Sequence, residues 1–347
     1  MANLDLHVTS VDVGGKLWHT IRFAGGSWQP FFGNVNAQES NDPGSLYAVD
    51  CTSDGDNLHV IAATDVNDAR NGGKLWHTIR FADGSWQSFF GNVKAQVPDN
   101  DPGSFYEDIS CAAAFGLLHV CGITTGDGRL WHIIRFADGS WQRRFEDVDT
   151  RVPSVPGAFF GVGCAVVDNS DLHVITLTSG DNNNDKNLWY TSRSGNDTSV
   201  DGTWQPFKDV KSQVSNNPGV FIGLSCSAAG GDLHVIGTTS DGRLWHTIRC
   251  ADGSWQDFGN VKAQVPDNDP GPFSDNISCA VADNGDLHVV AATDVNDAAN
   301  PGKLWHTIRF ANGGWQSFFG NVEAQVPDND PGPFKAVGIA SRVNFIK

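Results

Sequence analysis

The chain predicts an all-β fold. Six four-stranded antiparallel blades stand in a ring, a β-propeller, closed by the C-terminal strand joining the N-terminal blade. Three observations in its 347 residues carry this expectation. Leu-His-Val starts at 6, 58, 118, 172, 233 and 287, Leu-Trp starts at 17, 75, 130, 188, 244 and 304, and a second tryptophan follows at 28, 86, 141, 204, 255 and 315. Each landmark recurs at the length of one four-stranded unit, the signature of radial repetition. The two chain ends are also out of phase: "LDLHV" opens on a second strand, and "FKAVGIASRV" (334–343) aligns with the first strand "FIGLSCSAAG" (221–230) and then stops. Pairing the two would remove two open sheet edges, giving one domain over 1–347.

Within one unit, "DISCAAA" (108–114) reads as a short first strand. "LLHVCGITT" (117–125) and "RLWHIIRFA" (129–137) alternate with period two, and "SWQRRFEDV" (140–148) closes the blade. Asp-Gly or Asn-Gly pairs at 83–84, 138–139, 252–253 and 312–313 mark tight hairpins between strands three and four. With one methionine and frequent turn residues, helix signals are poor throughout. Five cysteines (51, 111, 164, 226, 279) share one register of the first strand, where the closing strand is expected to offer Ala340. Cys121 and Cys250 replace apolar residues. All seven read as small buried side chains, with neither a disulfide framework nor a zinc spacing, which suits a reducing compartment.

Forty acidic against 23 basic residues give a net charge of −17, which argues against a nucleic-acid partner and against an acidic membrane surface. No apolar run is long enough to insert in a membrane. The opening "MANLDLHVTS" lacks a secretory pattern. The expected location is therefore cytoplasmic, or outside the cell after release without a classical signal. The triplets at Asn196 and Asn276 then carry no glycan.

Candidate functional residues must recur. Trp18, Trp76, Trp131, Trp189, Trp245 and Trp305 are expected first as fillers between blades. Trp28, Trp86, Trp141, Trp204, Trp255 and Trp315, on the outermost strand, suit either rim packing or a stacking platform for a sugar ring. Arg22, Arg80, Arg135, Arg193, Arg249 and Arg309 each follow the Leu-Trp tryptophan by four residues. A planar five-donor fork beside an aromatic ring suits a polyhydroxylated ligand, and a salt bridge to the next blade is the rival role. His19, His77, His132, His246 and His306 give way to Tyr190 in the fourth unit. That exchange keeps a hydrogen-bonding ring but not a base or a metal ligand, so structural hydrogen bonding comes first and ligand contact second. The loops "VPDNDPGP" and "TDVNDA" could bind hydroxyls or Ca²⁺, but Asx turns account for them and no calcium-loop pattern is present. No metal and no cofactor are expected.

The unit "LWHTIRFADGSW" resembles the blades of fungal and bacterial β-propeller lectins, and the likeness runs through every unit. It implies shallow sugar sites between adjacent blades, up to one per blade, and glycans on cell surfaces as partners. Fucose-specific members pair an arginine with a glutamate in each site, whereas glutamate here occurs only at 39, 107, 146 and 323, without register. The resemblance therefore implies a neutral terminal sugar, N-acetylglucosamine ahead of L-fucose or galactose. Two rivals belong to other classes. "TTSDGRLW" (238–245) resembles the aspartate box of sialidases, but glycoside hydrolysis needs carboxylates, or a tyrosine nucleophile and its acid, at one special place. A protein-docking propeller would instead need one broad apolar patch. The binding reading, without catalysis, fits near-identical copies best, and the repeats say nothing about oligomeric state.

Overall fold

The computed structural model describes residues 3–167, 171–179, 187–194, 198–199 and 202–344. In chain order the strands are β1 Asn3–Asp12, β2 Leu17–Arg22 and β3 Gly33–Asn34 in blade 1; β4 Leu46–Asp54, β5 Asn57–Thr64, β6 Leu75–Arg80 and β7 Gly91–Asn92 in blade 2; β8 Phe105–Ala114, β9 Leu117–Thr124, β10 Leu130–Arg135 and β11 Glu146–Asp147 in blade 3. Blade 4 holds β12 Phe159–Val166, β13 Leu172–Thr178, β14 Asn187–Arg193 and β15 Lys208–Asp209, and blade 5 holds β16 Phe221–Ala229, β17 Asp232–Thr239, β18 Leu244–Arg249 and β19 Gly259–Asn260. Blade 6 holds β20 Phe273–Val281, β21 Leu287–Thr293, β22 Leu304–Arg309 and β23 Gly320–Asn321, and β24 Phe334–Asn344 returns to blade 1, where it pairs antiparallel with β1. The six sheets are four-stranded, and the first contains β24-β1-β2-β3. The helices are single turns such as Val93–Gln96.

Apolar burial is concentrated between blades rather than in one central core. Leu17 and Val35 of blade 1, for example, pack with Val60, Trp76 and Phe90 of blade 2, and Leu304 and Val322 of blade 6 pack with Trp28 and Phe32 of blade 1. Innermost strands are tied across seams by side chains that accept from the next strand's backbone. Asp50 accepts from Cys111 N at 2.8 Å, Ser110 Oγ from Cys164 N at 3.0 Å, and Ser278 Oγ from Ile339 N at 3.0 Å.

That last bond corrects the cysteine register. Cys51, Cys111, Cys164, Cys226 and Cys279 each face the valine of Leu-His-Val, and in the closing strand Ile339 faces Val8, while Ala340 faces His7. Ile339 therefore completes the ring. Six of the seven cysteines are buried; Cys250 is half-exposed, because it follows Arg249 at the start of a hairpin turn.

The fourth strand is shorter than the sequence pattern suggests. In blade 3 its pairing reduces to Glu146–Asp147 plus an isolated bridge between Arg135 and Trp141. The backbone between them is claimed by the linker of the preceding blade. Asn41 Oδ1 accepts from Phe90 N at 2.7 Å and Asn41 Nδ2 donates to Phe90 O at 3.0 Å. Asn100 clamps Phe145, Asn216 clamps Phe258 and Asn329 clamps Phe32 in the same two-bond way, and Asn268 donates to Phe319 O. The neighbouring aspartates cap the glycine two residues on, as Asp42 does for Gly44 and Asp101 for Gly103. The "VPDNDPGP" loops are thus inter-blade clasps built from Asx turns. Asn41→Ala is expected to lower the unfolding free energy by about 1–2 kcal/mol, read as a shifted denaturant midpoint at unchanged slope.

Candidate functional site

Antiparallel pairing sets His7 on β1 diagonally opposite His19 on β2, and His7 Nδ1 meets His19 Nε2 at 2.9 Å. Four further pairs repeat this contact at 3.0–3.1 Å: His59–His77, His119–His132, His234–His246 and His288–His306. In blade 4 the hydroxyl of Tyr190 takes the second position, 3.2 Å from His173 Nδ1. All eleven histidines are buried, and burial is the main cause that lowers the pKa of ten of them, to about 4 for His59, His173, His234 and His288. A buried base with a lowered pKa is neutral at neutral pH.

The next blade covers each pair. Trp86 stands edge-on to His19, Trp141 to His77, Trp204 to His132, Trp255 to Tyr190, Trp315 to His246 and Trp28 to His306, with centroids 5.5–5.9 Å apart. The outer-strand tryptophans are therefore seam residues, buried or half-buried. The Leu-Trp tryptophans also reach the preceding blade: Trp76, Trp131, Trp245 and Trp305 join the inter-blade clusters, and Trp18 lies against that of blade 6. Trp18, Trp131, Trp189 and Trp245 each donate an indole N–H to Asp12, Thr124, Thr178 and Thr239.

The arginine of the covering blade ends its third strand at the same seam. Arg80 is close enough to His19, Arg135 to His77, Arg309 to His246 and Arg22 to His306 to lower the histidine pKa further. Arg22, Arg80, Arg135, Arg249 and Arg309 are half-buried, and desolvation lowers the pKa of Arg22, Arg135 and Arg309.

Two seams depart from the rest. Between blades 3 and 4, Glu146 Oε2 lies 3.1 Å from His132 Nδ1 and 3.0 Å from Arg193 Nε, with all three side chains fully buried. Between blades 4 and 5, Arg249 lies 4.7 Å from the Tyr190 ring centroid, a cation–π contact. The residue opposite the second histidine explains the difference. Glu146 faces His132 and Lys208 faces Tyr190, but Gly33, Gly91, Gly259 and Gly320 face His19, His77, His246 and His306. Glycine brings no side chain to the ring nitrogen that Glu146 engages in blade 3; the amide of Gln38, Gln96, Gln264 or Gln325 lies over the glycine instead, 2.9–3.6 Å from where a Cβ would stand. Among the described residues, Nδ1 of these four histidines makes no hydrogen bond.

The same four seams carry phenylalanine after the arginine: Phe23, Phe81, Phe136 and Phe310. Three of these are 38–39% exposed. The seams 1/2, 2/3, 5/6 and 6/1 thus share one set: a buried histidine whose Nδ1 makes no hydrogen bond among the described residues, a facing glycine, and an Arg-Phe pair with tryptophan from the next blade. Sequence reading named the arginine, histidine and tryptophan, but passed over the glycine, the phenylalanine and Glu146. The recurrent "GNV" opposite Leu-Trp-His, broken only by "EDV" and "KDV", was the available signal.

Among the described residues no three His, Cys, Asp or Glu side chains are placed to hold a metal ion, and no helix is long and apolar enough to cross a membrane. Asn196 lies outside the described residues.

No family model and no curated protein matches the sequence. Solved structures do match. The fucose-specific lectin from Aleuria aurantia is 13% identical with a TM-score of 0.56, over 91% of this chain and 90% of that one. A lectin from Burkholderia pseudomallei is 16% identical with a TM-score of 0.53, over 90% and 79%. An α-L-arabinofuranosidase from Clostridium thermocellum is 13% identical with a TM-score of 0.53, over 80% and 94%. At these identities the likeness establishes a shared propeller fold.

Proposed function

We propose that the chain is a multivalent carbohydrate-binding protein that takes terminal neutral sugars of cell-surface glycans at its inter-blade seams, N-acetylglucosamine ahead of L-fucose or galactose. One observation carries this reading. Four seams repeat the same histidine Nδ1 beside an arginine, without a hydrogen bond among the described residues, and in a fifth the chain's own Glu146 engages the equivalent groups, accepting from His132 Nδ1 and Arg193 Nε. Groups that an oxygen acceptor satisfies in one copy suit an oxygen acceptor from a ligand in the others. The carbonyl oxygen of an acetamido group is such an acceptor, with Phe23, Phe81, Phe136 or Phe310 beside it to cover an apolar sugar face. A net charge of −17 disfavours anionic sugars.

The likeness to a fucose-specific lectin of Aleuria aurantia supports sugar binding as the class. The arabinofuranosidase is the counterweight, but near-identical residue sets in four seams favour binding over turnover, since hydrolysis needs one specialised place. Weak sites on one rigid ring gain avidity on a glycan-coated surface. In this reading Arg22, Arg80, Arg135 and Arg309 contact ligand, whereas Arg193, fully buried, belongs to the scaffold.

Calorimetric titration with N-acetylglucosamine is expected to give about four equivalent sites, each with a Kd on the order of 0.1–1 mM. Arg80→Ala should remove one of the four and leave the melting temperature nearly unchanged. Zero stoichiometry for both N-acetylglucosamine and fucose would end the sugar assignment.

A further inference from the structure

The seams repeat, but one level of the ring does not. Every innermost strand is irregular near its start, where extra residues stand against the second strand. Leu46 pairs with Thr64 and Ala48 with Ala63, leaving Tyr47 unpaired, and Phe160, Ile222 and Lys335 are set out in the same way in blades 4, 5 and 1. Blades 3 and 6, opposite each other in the ring, carry the longer irregularities, over 106–108 and 274–276. A bulge turns a side chain off the pleat. Here Tyr47, Phe160, Ile222, Asp275 and Lys335 line one cavity of about 570 Å³ on the axis, with Asp108, Asn276 and Asp294.

Repetition that serves packing alone would copy this level as faithfully as it copies Leu-Trp-His. Instead the blades bring different sets, with Tyr47, Asp108, Phe160, Ile222 and Lys335 from five of them and Ser274, Asp275 and Asn276 from blade 6, so the cavity has one orientation and offers one site. Its volume lies within the roughly 300–1,000 Å³ of cavities that bury a small ligand.

We propose that this axial cavity is a second binding site, one per chain, for a short neutral oligosaccharide. Tyr47, Phe160 and Ile222 present apolar walls to sugar faces. Asp275, Asp294 and Asn276 accept from hydroxyls, and Lys335, its ammonium 5.4 Å from the Tyr47 ring centroid, donates. Three aspartates against one lysine set the cavity against anionic ligands. The site is also independent of the seams. It opens among strand starts and the loop at Asp294–Val295, whereas Arg22 and its counterparts end their strands at the hairpin turns on the opposite face.

The test is methyl NMR of isoleucine- and valine-labelled protein titrated with cellotriose, xylotriose, chitotriose and trigalacturonate. At least one neutral trisaccharide should shift the Ile222 and Val295 methyls and saturate at one per chain, with trigalacturonate about tenfold weaker or more. Ile222→Trp, which fills the cavity, should abolish these shifts while the seam stoichiometry for N-acetylglucosamine stays as in the parent. Should Ile222→Trp not fold, Lys335→Ala decides, with about a tenfold loss expected. No methyl shift with any neutral probe, shifts that persist in Ile222→Trp, affinity unchanged in Lys335→Ala, or preference for trigalacturonate would each overturn the proposal. Because cavity methyls and seam stoichiometry are read separately, failure at one site does not count against the other.

Discussion

Arg193→Ala is expected to lower the unfolding free energy by about 3–5 kcal/mol, or about 4–7 °C in melting temperature for a chain of this length. Arg193 and Glu146 are both fully buried in the seam between blades 3 and 4. Burial alone would push the Glu146 carboxyl up, but the hydrogen bond from His132 and the charge of Arg193 outweigh it and hold the carboxyl below its ordinary value. Glu146 is therefore a buried anion, and removing Arg193 leaves it without its cation. Replacing both by methionine should cost less than either single loss, because an ion pair in the interior gains little over apolar packing. This seam also lacks the asparagine clasp, since Ser154 in "SVPG" stands where other linkers carry the asparagine of "NDPG" or "NNPG". The ion pair then fastens the two blades that the linker does not clasp. A loss for Arg193→Ala as small as that for Arg80→Ala, measured by denaturant titration, would show that the pair fastens nothing.

The contrast between these two arginines shows what the sequence could reveal. The ring, its six units and the closing strand were legible because every blade meets the same neighbours, so packing demands were written six times. The seam set was half legible. Arginine, histidine and tryptophan announce themselves by chemistry, but Gly33, Gly91, Gly259 and Gly320 act by bringing no side chain to the histidine, and Glu146 acts by bringing one. Which of six identical arginines is sealed depends on a residue 47 positions away in another blade. The shortened outer strand was hidden for the same reason: Asn329 clamps Phe32 across 297 positions, and only ring closure brings them together. The axial irregularities were hidden because an extra residue in a strand leaves the alternation of its neighbours intact.

Acid should unfold this protein cooperatively near pH ~5, well above the acid limit of a fold whose histidines are exposed. Ten of the buried histidines have their pKa lowered from the ordinary 6.5 in the folded chain, to about 4 for His59, His173, His234 and His288, chiefly by desolvation. A base with a depressed folded pKa contributes its full stability above 6.5. It loses that stability as pH falls toward the folded value, because only the unfolded chain takes up the proton. Each such group costs up to roughly 1.4 kcal/mol per pH unit in that window. Five carboxyls act in the opposite sense. Burial raises Glu39 and Glu323 to about 7 and Asp50 and Asp149 to about 6, and it raises Asp108 as well. They gain protons in the folded state as pH falls. Ten bases against five acids leave a net loss of several kcal/mol per unit below pH 6, enough to exhaust a stability of about 5–15 kcal/mol within one to two units. Melting temperatures at pH 8, 7, 6, 5 and 4 measure this, and a curve flat down to pH 5 would mean that the histidine pairs are not held neutral. His19→Tyr, the exchange the chain itself makes at Tyr190, removes one buried base and should make the decline shallower, whereas a purely packing role for His19 would move the whole curve without changing its slope.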